Sequence, residues 1–237
     1  MGLGDILSKS ISYPFSDLTK FLIVGLIFVI SDMDGIFYGL FGSNSFIAII
    51  GIIIAIVFSV ILSGYSIDVI KRGIDNSNEI PGFDLANNFV NGIKVLIIGL
   101  VYFIIPIIIT LVLLFMFGAI GAGLDKMAGS LGIWAVFAVI IFIIFGIFAI
   151  IAEARFAISR SIGDALSIGE VFADVKRIGI LNIILFLIVV SILLIVLSLI
   201  LSVVAVIPII GIVIVDLILG GFALLFVNYG VGLLYSE

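Results

Sequence analysis

Residues 45–67 run SFIAIIGIIIAIVFSVILSGYSI without a single charged side chain. A helix needs about 20 mostly apolar residues to cross the roughly 30 Å hydrocarbon core of a bilayer. The rest of the chain has the same character, because 65% of its 237 residues are hydrophobic and only 11% are charged. A soluble domain carries about 25% charged residues, and a water-soluble fold cannot hide this much apolar surface. The sequence therefore predicts an integral membrane protein.

Apolar segments long enough, or nearly long enough, to cross the membrane recur along the chain. The first is the weakest, because it either continues past Asp32 and Asp34 or crosses with its ends drawn toward the interface. A tight reversal at Pro208 separates the last two. The predicted fold class is all-α, a single polytopic membrane helical bundle over residues 1–237 with about six transmembrane helices in three hairpins. The predicted spans are residues 17–40, 45–67, 95–120, 131–152, 179–205 and 208–229.

The basic residues indicate how the chain is oriented. Nine of the ten fall on one side of the predicted spans, and only Lys126 falls on the other. Basic loops stay in the cytoplasm, so both termini and the loops 68–94 and 153–177 are predicted to be cytoplasmic, in the cell membrane. The outer loops are predicted to carry Asp32, Asp34 and Asp125. The nine cytoplasmic basic residues are Lys9, Lys20, Lys71, Arg72, Lys94, Arg155, Arg160, Lys176 and Arg177.

A short pattern precedes each predicted hairpin, with an aromatic residue followed five positions later by a basic one. It occurs at residues 15–20 (FSDLTK), 89–94 (FVNGIK) and 172–177 (FADVKR). The pattern predicts short amphipathic interfacial segments and internal repeats over about 11–72, 84–160 and 168–235. The alternative is that aromatic and basic residues simply recur at membrane borders.

Composition also excludes several kinds of chemistry. The chain has no cysteine and no histidine, which removes disulfides, thiol nucleophiles, histidine-based zinc sites and Ser-His-Asp arrangements. We therefore expect a protein without cofactors that is not an enzyme. The net charge of −5 gives no basic face for nucleic acid, so the expected partners are membrane lipids and either further copies of the chain or other membrane proteins.

Several short motifs resemble those of a known family, called domain of unknown function 4013. This resemblance implies a prokaryotic, mainly archaeal, multi-pass membrane protein and covers most of the chain. It implies no activity and transfers no functional residue. The motifs are Ile11-Ser-Tyr13-Pro14-Phe15-Ser-Asp17, Gly64-Tyr65, Lys71-Arg72-Gly73, Ile80-Pro81-Gly-Phe83-Asp84 and Phe89-Val-Asn-Gly92-Ile-Lys94.

Asp216 is the sharpest candidate for a functional residue, because it lies within the last predicted span. A charge at the centre of a membrane helix costs about 2.5–3.5 kcal/mol or more and usually faces protein or water. Asp216 is therefore either a proton- or cation-responsive carboxyl group or a protonated, hydrogen-bonded acid near the outer boundary. Gly220 lies one turn further on the same face, which indicates that this face is packed.

Two other groups of residues are candidates for packing or binding. Gly51, Ala55, Ser59 and Ser63 recur every four residues and predict a closely packed helix face, with a lined pathway as the alternative. At a cytoplasmic helix end, the cluster of Glu153, Arg155 and Arg160 is either a solvated anchor to lipid headgroups or an anion-binding site. The spacing i,i+4 predicts ion pairs for Arg160–Asp164, Asp68–Arg72 and Lys71–Asp75.

Three functions remain open from the sequence. The first is a non-catalytic membrane protein that assembles with partners, acts as a scaffold or organises lipid. The second is a small transporter or channel for protons, cations or small solutes that uses Asp216, because transporter folds are often repeats with broken helices and sites at the membrane midplane. The third is a lipid-modifying enzyme with carboxylate chemistry at Glu153, Arg155 and Arg160.

Overall fold

The computed structural model describes residues 1–42, 46–121, 124–207 and 209–237. Within these ranges the chain forms helices and short turns and contains no strand. A 3₁₀ turn, Tyr13–Ser16, separates the first two helices, and a π turn, Asp216–Gly220, separates the last two. The helices are α1 (Leu3–Ser12), α2 (Leu18–Ser31), α3 (Met33–Phe41), α4 (Phe46–Ile74), α5 (Leu85–Gly121), α6 (Leu124–Ser159), α7 (Ile162–Ala165), α8 (Ile168–Ile178), α9 (Ile180–Ala205), α10 (Ile210–Val215) and α11 (Gly221–Tyr235).

The described helices confirm the predicted fold class. Five are long and apolar enough to cross a membrane, and a sixth crossing is reached if a helix pair bent by 88°, Leu3–Ser16 with Leu18–Ser31, counts as one span. The predicted division of the last two spans is also found, since α9 ends at Ala205 and α10 begins at Ile210. Pro208, to which the reversal was assigned, lies outside the described residues, as do the side chains of Asp125 and Lys126.

The long helices extend further on their predicted cytoplasmic side than the apolar pattern indicated. α5 begins at Leu85 because the Asp84 carboxylate caps it, accepting from the backbone N–H of Asn87 at 3.1 Å. This bond and a second from the Asn87 side chain hold the pKa of Asp84 below its usual value. α6 continues to Ser159 and ends where Arg160 takes a φ of 56°. Caps rather than the lipid boundary therefore set these helix ends.

One of the three predicted segments, residues 172–177, lies in a separate amphipathic helix, α8, whereas residues 15–20 form the end of the 3₁₀ turn and the start of α2. α1 carries Lys9 and lies before the sharp bend into α2. α8 buries Val171, Val175 and Ile178 and exposes its charged face, as an amphipathic surface helix does. The third predicted segment, residues 89–94, is instead a continuous part of α5, since the capped helix runs through it without a break.

α4 is the central helix of the bundle, with α2, α3, α5 and α11 packed around it. Glycines permit these contacts. An added Cβ on Gly64 would lie 1.8 Å from the Asn88 carbonyl oxygen of α5, and one on Gly73 would lie 2.2 Å from the Tyr229 carbonyl oxygen of α11. Such close approach through small residues is how helices associate in lipid. At the predicted cytoplasmic end, the Met1 ammonium pairs with a carboxylate oxygen of Glu237, so both termini lie on the same side.

Candidate functional site

Asp216, the acid in the last predicted span, meets a second carboxyl group. Its side chain lies beside the side chain of Asp32, which lies between α2 and α3. Oxygen Oδ2 of Asp216 is buried with no hydrogen-bond partner among the described residues. Two neighbouring carboxyl groups disfavour a second negative charge, because like charges repel. The pair Asp32–Asp216 is here called the acid pair.

Close contact between α2 and the last span brings the two acids together. An added Cβ on Gly25 would lie 2.2 Å from the Leu217 carbonyl oxygen, and one on Gly220 would lie 2.3 Å from the ring of Phe28. Only glycine permits this approach. The last span also widens into its π turn at Asp216, and single π turns inside helices are frequent at functional sites. Both acids therefore lie at irregular points of their helices.

Asp32 is the turn residue between α2 and α3, and its predicted place on the outer side stays a prediction. α2 has 14 residues and is about 21 Å long at 1.5 Å per residue. This length is shorter than a hydrocarbon core that is roughly 30 Å thick. α3 then continues beside α4, where Gly51 is in contact with the Phe37 side chain. A sequence signal existed, because the apolar run before Asp32 is too short to cross alone.

The predicted packing stripe on α4 has two different environments. Gly51 and Ala55 are buried, and the packing interpretation fits them. Ser59 is exposed and Ser63 is half-buried. Both serines line a cavity of about 380 Å³ between α2, α4 and α11. Ser59 and Ser63 therefore fit the alternative of a lined pathway. The four-residue spacing alone could not distinguish a lined pathway from a packed face.

The serine-lined cavity adjoins the acid pair. Ser31, the neighbour of Asp32 in the chain, lines the cavity. So does Phe28, whose ring lies against Gly220, one turn from Asp216. The cavity with its serine hydroxyl groups and the acid pair are thus neighbours.

The segment between α4 and α5, residues 75–84, is fastened across the predicted cytoplasmic end of the bundle. Ile80 is fully buried, and aromatic rings stack beneath the segment, with Tyr13 on Tyr229 at 3.8 Å and Tyr65 on Phe83 at 4.4 Å between centroids. Side-chain donors from α2, α4, α11 and the 3₁₀ turn hold the segment in place. They are the Tyr13 hydroxyl to the Glu79 carbonyl (3.1 Å), Lys20 Nζ to the Ile80 carbonyl (2.7 Å), the Tyr65 hydroxyl to the Pro81 carbonyl (3.1 Å) and the Tyr229 hydroxyl to Asn78 Oδ1 (3.3 Å).

The predicted cytoplasmic cluster of Glu153, Arg155 and Arg160 is dispersed in the structure. Arg155 Nη1 donates to Asp174 Oδ2 of α8 at 2.7 Å. Arg160 Nη2 donates to Asp68 Oδ1 of α4 at 2.6 Å. Both arginines are thus neutralised by carboxylates from other helices, and Glu153 joins neither pair. This arrangement fastens α6 to its neighbours and leaves little positive charge for an anion.

Of the three predicted i,i+4 ion pairs, Lys71–Asp75 is confirmed. The predicted pair of Arg160 with Asp164 is wrong, because α6 ends at Ser159 and the positive φ of Arg160 turns its side chain away from the helix face. The predicted pair of Asp68 with Arg72 is also wrong. Asp68 instead pairs with Arg160, which is distant in the chain, at 2.6 Å. Arg72 pairs with Glu79 of the following segment at 3.6 Å.

The fold defines the class of the protein, a multi-pass helical membrane protein. The chain belongs to the family described as protein of unknown function (DUF4013), whose sequence profile matches residues 47–206. No curated protein and no solved structure matches the chain. The matched residues include Ser59 and Ser63 and exclude both members of the acid pair. Among the described residues, no group of three or more acidic, histidine or cysteine side chains could hold a metal ion.

Proposed function

We propose that this protein is a small membrane carrier that binds a proton or another monovalent cation at the Asp32–Asp216 pair and moves it across the bilayer. The observation that carries the proposal is that the two acids lie side by side at the junctions of four helical pieces. Ionisable groups inside membrane spans are rare and commonly mark ion or proton pathways.

The broken helices support transport rather than simple packing. Carrier proteins place their binding sites near the membrane midplane, where discontinuous helices expose polar groups. Here α2 gives way to α3 at Asp32, and α10 gives way to the π turn at Asp216. The segment 75–84 covers the predicted cytoplasmic end of the bundle, and the cavity lies at the side of the bundle, where Ser59 is exposed.

The orientation belongs to the same proposal. The basic residues other than Lys126 gather with both termini at one end of the bundle. By the positive-inside rule this end faces the cytoplasm of the cell membrane. The proposed activity involves no covalent chemistry. The carrier needs no cofactor and contacts membrane lipids through its exposed apolar surface.

A second candidate is a non-catalytic protein that assembles in the membrane or organises lipid. It is favoured by the outer half of α9, which makes few contacts with the rest of the described chain. Val203 is 76% exposed and Val206 is 80% exposed. In a membrane this surface is covered by lipid, a second copy of the chain or another membrane protein. The carrier requires the acid pair for its activity, whereas the non-catalytic membrane protein does not.

The test is cation flux in liposomes that contain the purified protein and a pH-sensitive dye. A potential imposed across the membrane should drive acidification or alkalinisation with the wild-type protein. Asp216→Asn and Asp32→Asn should each reduce the rate at least tenfold, because an amide cannot bind and release the proton at this site. Asp164→Asn is the matched control, since Asp164 is an exposed acid outside the spans, and should keep the wild-type rate.

The acid pair is not a transport site if both Asp216→Asn and Asp32→Asn proteins keep the wild-type flux. Absence of flux for protons, sodium and potassium in the wild-type protein would also contradict the proposal. The second candidate would then be tested by the mass of the protein extracted in mild detergent. A stoichiometric partner or a defined oligomer with retained lipid would support it.

A further inference from the structure

The cavity beside the acid pair offers hydrogen-bond acceptors to a ligand. Ser31 Oγ donates to the carbonyl of Phe28 at 2.7 Å, Ser63 Oγ to that of Ser59 at 2.9 Å, and Ser66 Oγ to that of Ser63 at 2.7 Å. The hydroxyl protons are therefore used within the helices. The hydroxyl oxygens therefore present only their lone pairs to the cavity, and lone pairs accept hydrogen bonds.

The side-chain amide of Asn228 also offers the cavity a hydrogen-bond acceptor rather than a donor. Its Nδ2 donates to the Leu224 carbonyl of its own helix at 2.8 Å, which leaves Oδ1 as the available acceptor. No lysine or arginine is among the described residues that line the cavity. An anion would meet only oxygen lone pairs there, so the lining excludes anions and suits a ligand that carries hydrogen-bond donors.

The rest of the lining is apolar. Phe28, Leu62 and Leu224 contribute their side chains to the cavity wall. The cavity volume of about 380 Å³ is roughly ten times the share of one water molecule in the liquid, about 30 Å³. A bare metal ion would fill little of this space and would leave the apolar wall in contact with water. A cation with a short alkyl body can place its charge among the serine oxygens and its chain on the apolar wall, and its charge can also lie against the face of the Phe28 ring.

The acid pair supplies negative charge next to the cavity, since Ser31 of the cavity wall precedes Asp32 in the chain. A cation in the cavity is attracted by an ionised carboxylate at this pair. The following proposal rests on the proposed function above. We propose that the ligand of this cavity is a small primary alkylammonium ion. Its N–H donors face the serine oxygens, and its alkyl chain contacts Phe28, Leu62 and Leu224.

The test measures binding of n-butylammonium chloride to the full chain in lipid nanodiscs by calorimetry. Butyrate is the matched anion, and sodium chloride is the matched simple cation. We expect n-butylammonium to bind and butyrate not to bind. Ser63→Ala should raise the dissociation constant about tenfold, because the substitution removes a hydrogen bond to a charged group.

Ser198→Ala is the control variant. Ser198 also donates to a carbonyl of its own helix, Ile195 at 2.8 Å, but it lies exposed on α9. It should leave the dissociation constant unchanged, and the melting temperature of each ligand-free variant checks that it is folded. Equal affinity of the Ser63→Ala and wild-type proteins would overturn the cavity as the binding site.

The remaining outcomes separate this inference from the proposed function. Binding of sodium as tight as that of n-butylammonium would overturn the organic ligand and leave a metal cation carrier. No binding of n-butylammonium, together with proton flux that depends on Asp216, would overturn the inference alone. No binding and no flux would overturn both.

Discussion

At the scale of single residues, the structure depends most on positions where a side chain must be absent. Gly64 of α4 and Gly92 of α5 face each other's helix, and an added Cβ on either would lie 1.8 Å from a carbonyl oxygen, that of Asn88 or Val60. Backbone atoms cannot move away without separating the two helices. The contact between α4 and α5 is therefore specified by glycine and tolerates no larger residue.

This contact predicts opposite effects for two glycine substitutions. Gly64→Ala should destabilise the protein, since inserting a methyl group into a packed interface costs about 1–3 kcal/mol. Gly99→Ala is the matched control on α5, because no atom lies within 4 Å of the added Cβ. Alanine there should be neutral or stabilise the helix by up to about 1 kcal/mol. Thermal unfolding in detergent measures both, and equal melting temperatures for the two variants would contradict the packing account.

At the scale of elements, the fastened segment 75–84 links the 3₁₀ turn, α2 and α4 at one end of the bundle. Its carbonyl groups accept from Tyr13, Lys20 and Tyr65, which belong to different helices or turns. Each donor satisfies a backbone group that has no partner in a helix, and an unsatisfied buried polar group costs about 1–3 kcal/mol. Side chains rather than regular secondary structure therefore hold the segment in place. A segment that is held in this way can open as a unit.

Removal of one hydroxyl should loosen this segment without unfolding the bundle. Tyr65→Phe keeps the ring stack on Phe83 but removes the bond to the Pro81 carbonyl. We expect amide hydrogen exchange within residues 76–84 to become about tenfold faster, while exchange in the core of α4 stays unchanged. Tyr38→Phe is the control, because Tyr38 is 61% exposed. Unchanged exchange in the Tyr65→Phe protein would show that the hydroxyl does not hold the segment.

At the scale of the whole molecule, the first and third hairpins form the candidate site together. α2 and α4 come from the first hairpin, and the π turn and α11 come from the third. The second hairpin, α5 with α6, packs on α4 and joins α7 and α8 to the bundle. Aromatic residues at the three hairpin ends, Tyr65, Phe156 and Tyr229, are all fully buried. The threefold repeat nevertheless stays a prediction, because similar burial does not require similar backbone paths.

The membrane orientation can be tested with single cysteines, because the chain has none of its own. Ser12→Cys and Ser236→Cys lie at the end that carries the basic residues, and Phe46→Cys lies at the opposite end of α4. A membrane-impermeant maleimide should label Phe46→Cys in intact cells. It should label the other two only after the membrane is permeabilised. The reverse pattern would place both termini outside and contradict the positive-inside assignment.

The sequence by itself determined that the chain is a membrane protein of about six helical spans and that Asp216 is an unusual residue. Those conclusions rest on apolar content, segment length and charge, which are local properties that the bilayer acts on directly. The sequence also contained Asp32, yet its place in the chain suggested a loop.

Only the tertiary structure decided which residues meet. The pairing of Asp32 with Asp216, of Asp68 with Arg160 and of Arg155 with Asp174 depends on the register in which helices pack. Helical periodicity identifies the apolar face of a helix but not the helix that packs against it. In a membrane an apolar face packs about equally well against lipid and against protein. For the same reason the stripe of Ser59 and Ser63 could be assigned to a cavity only when the positions of α2 and α11 were known.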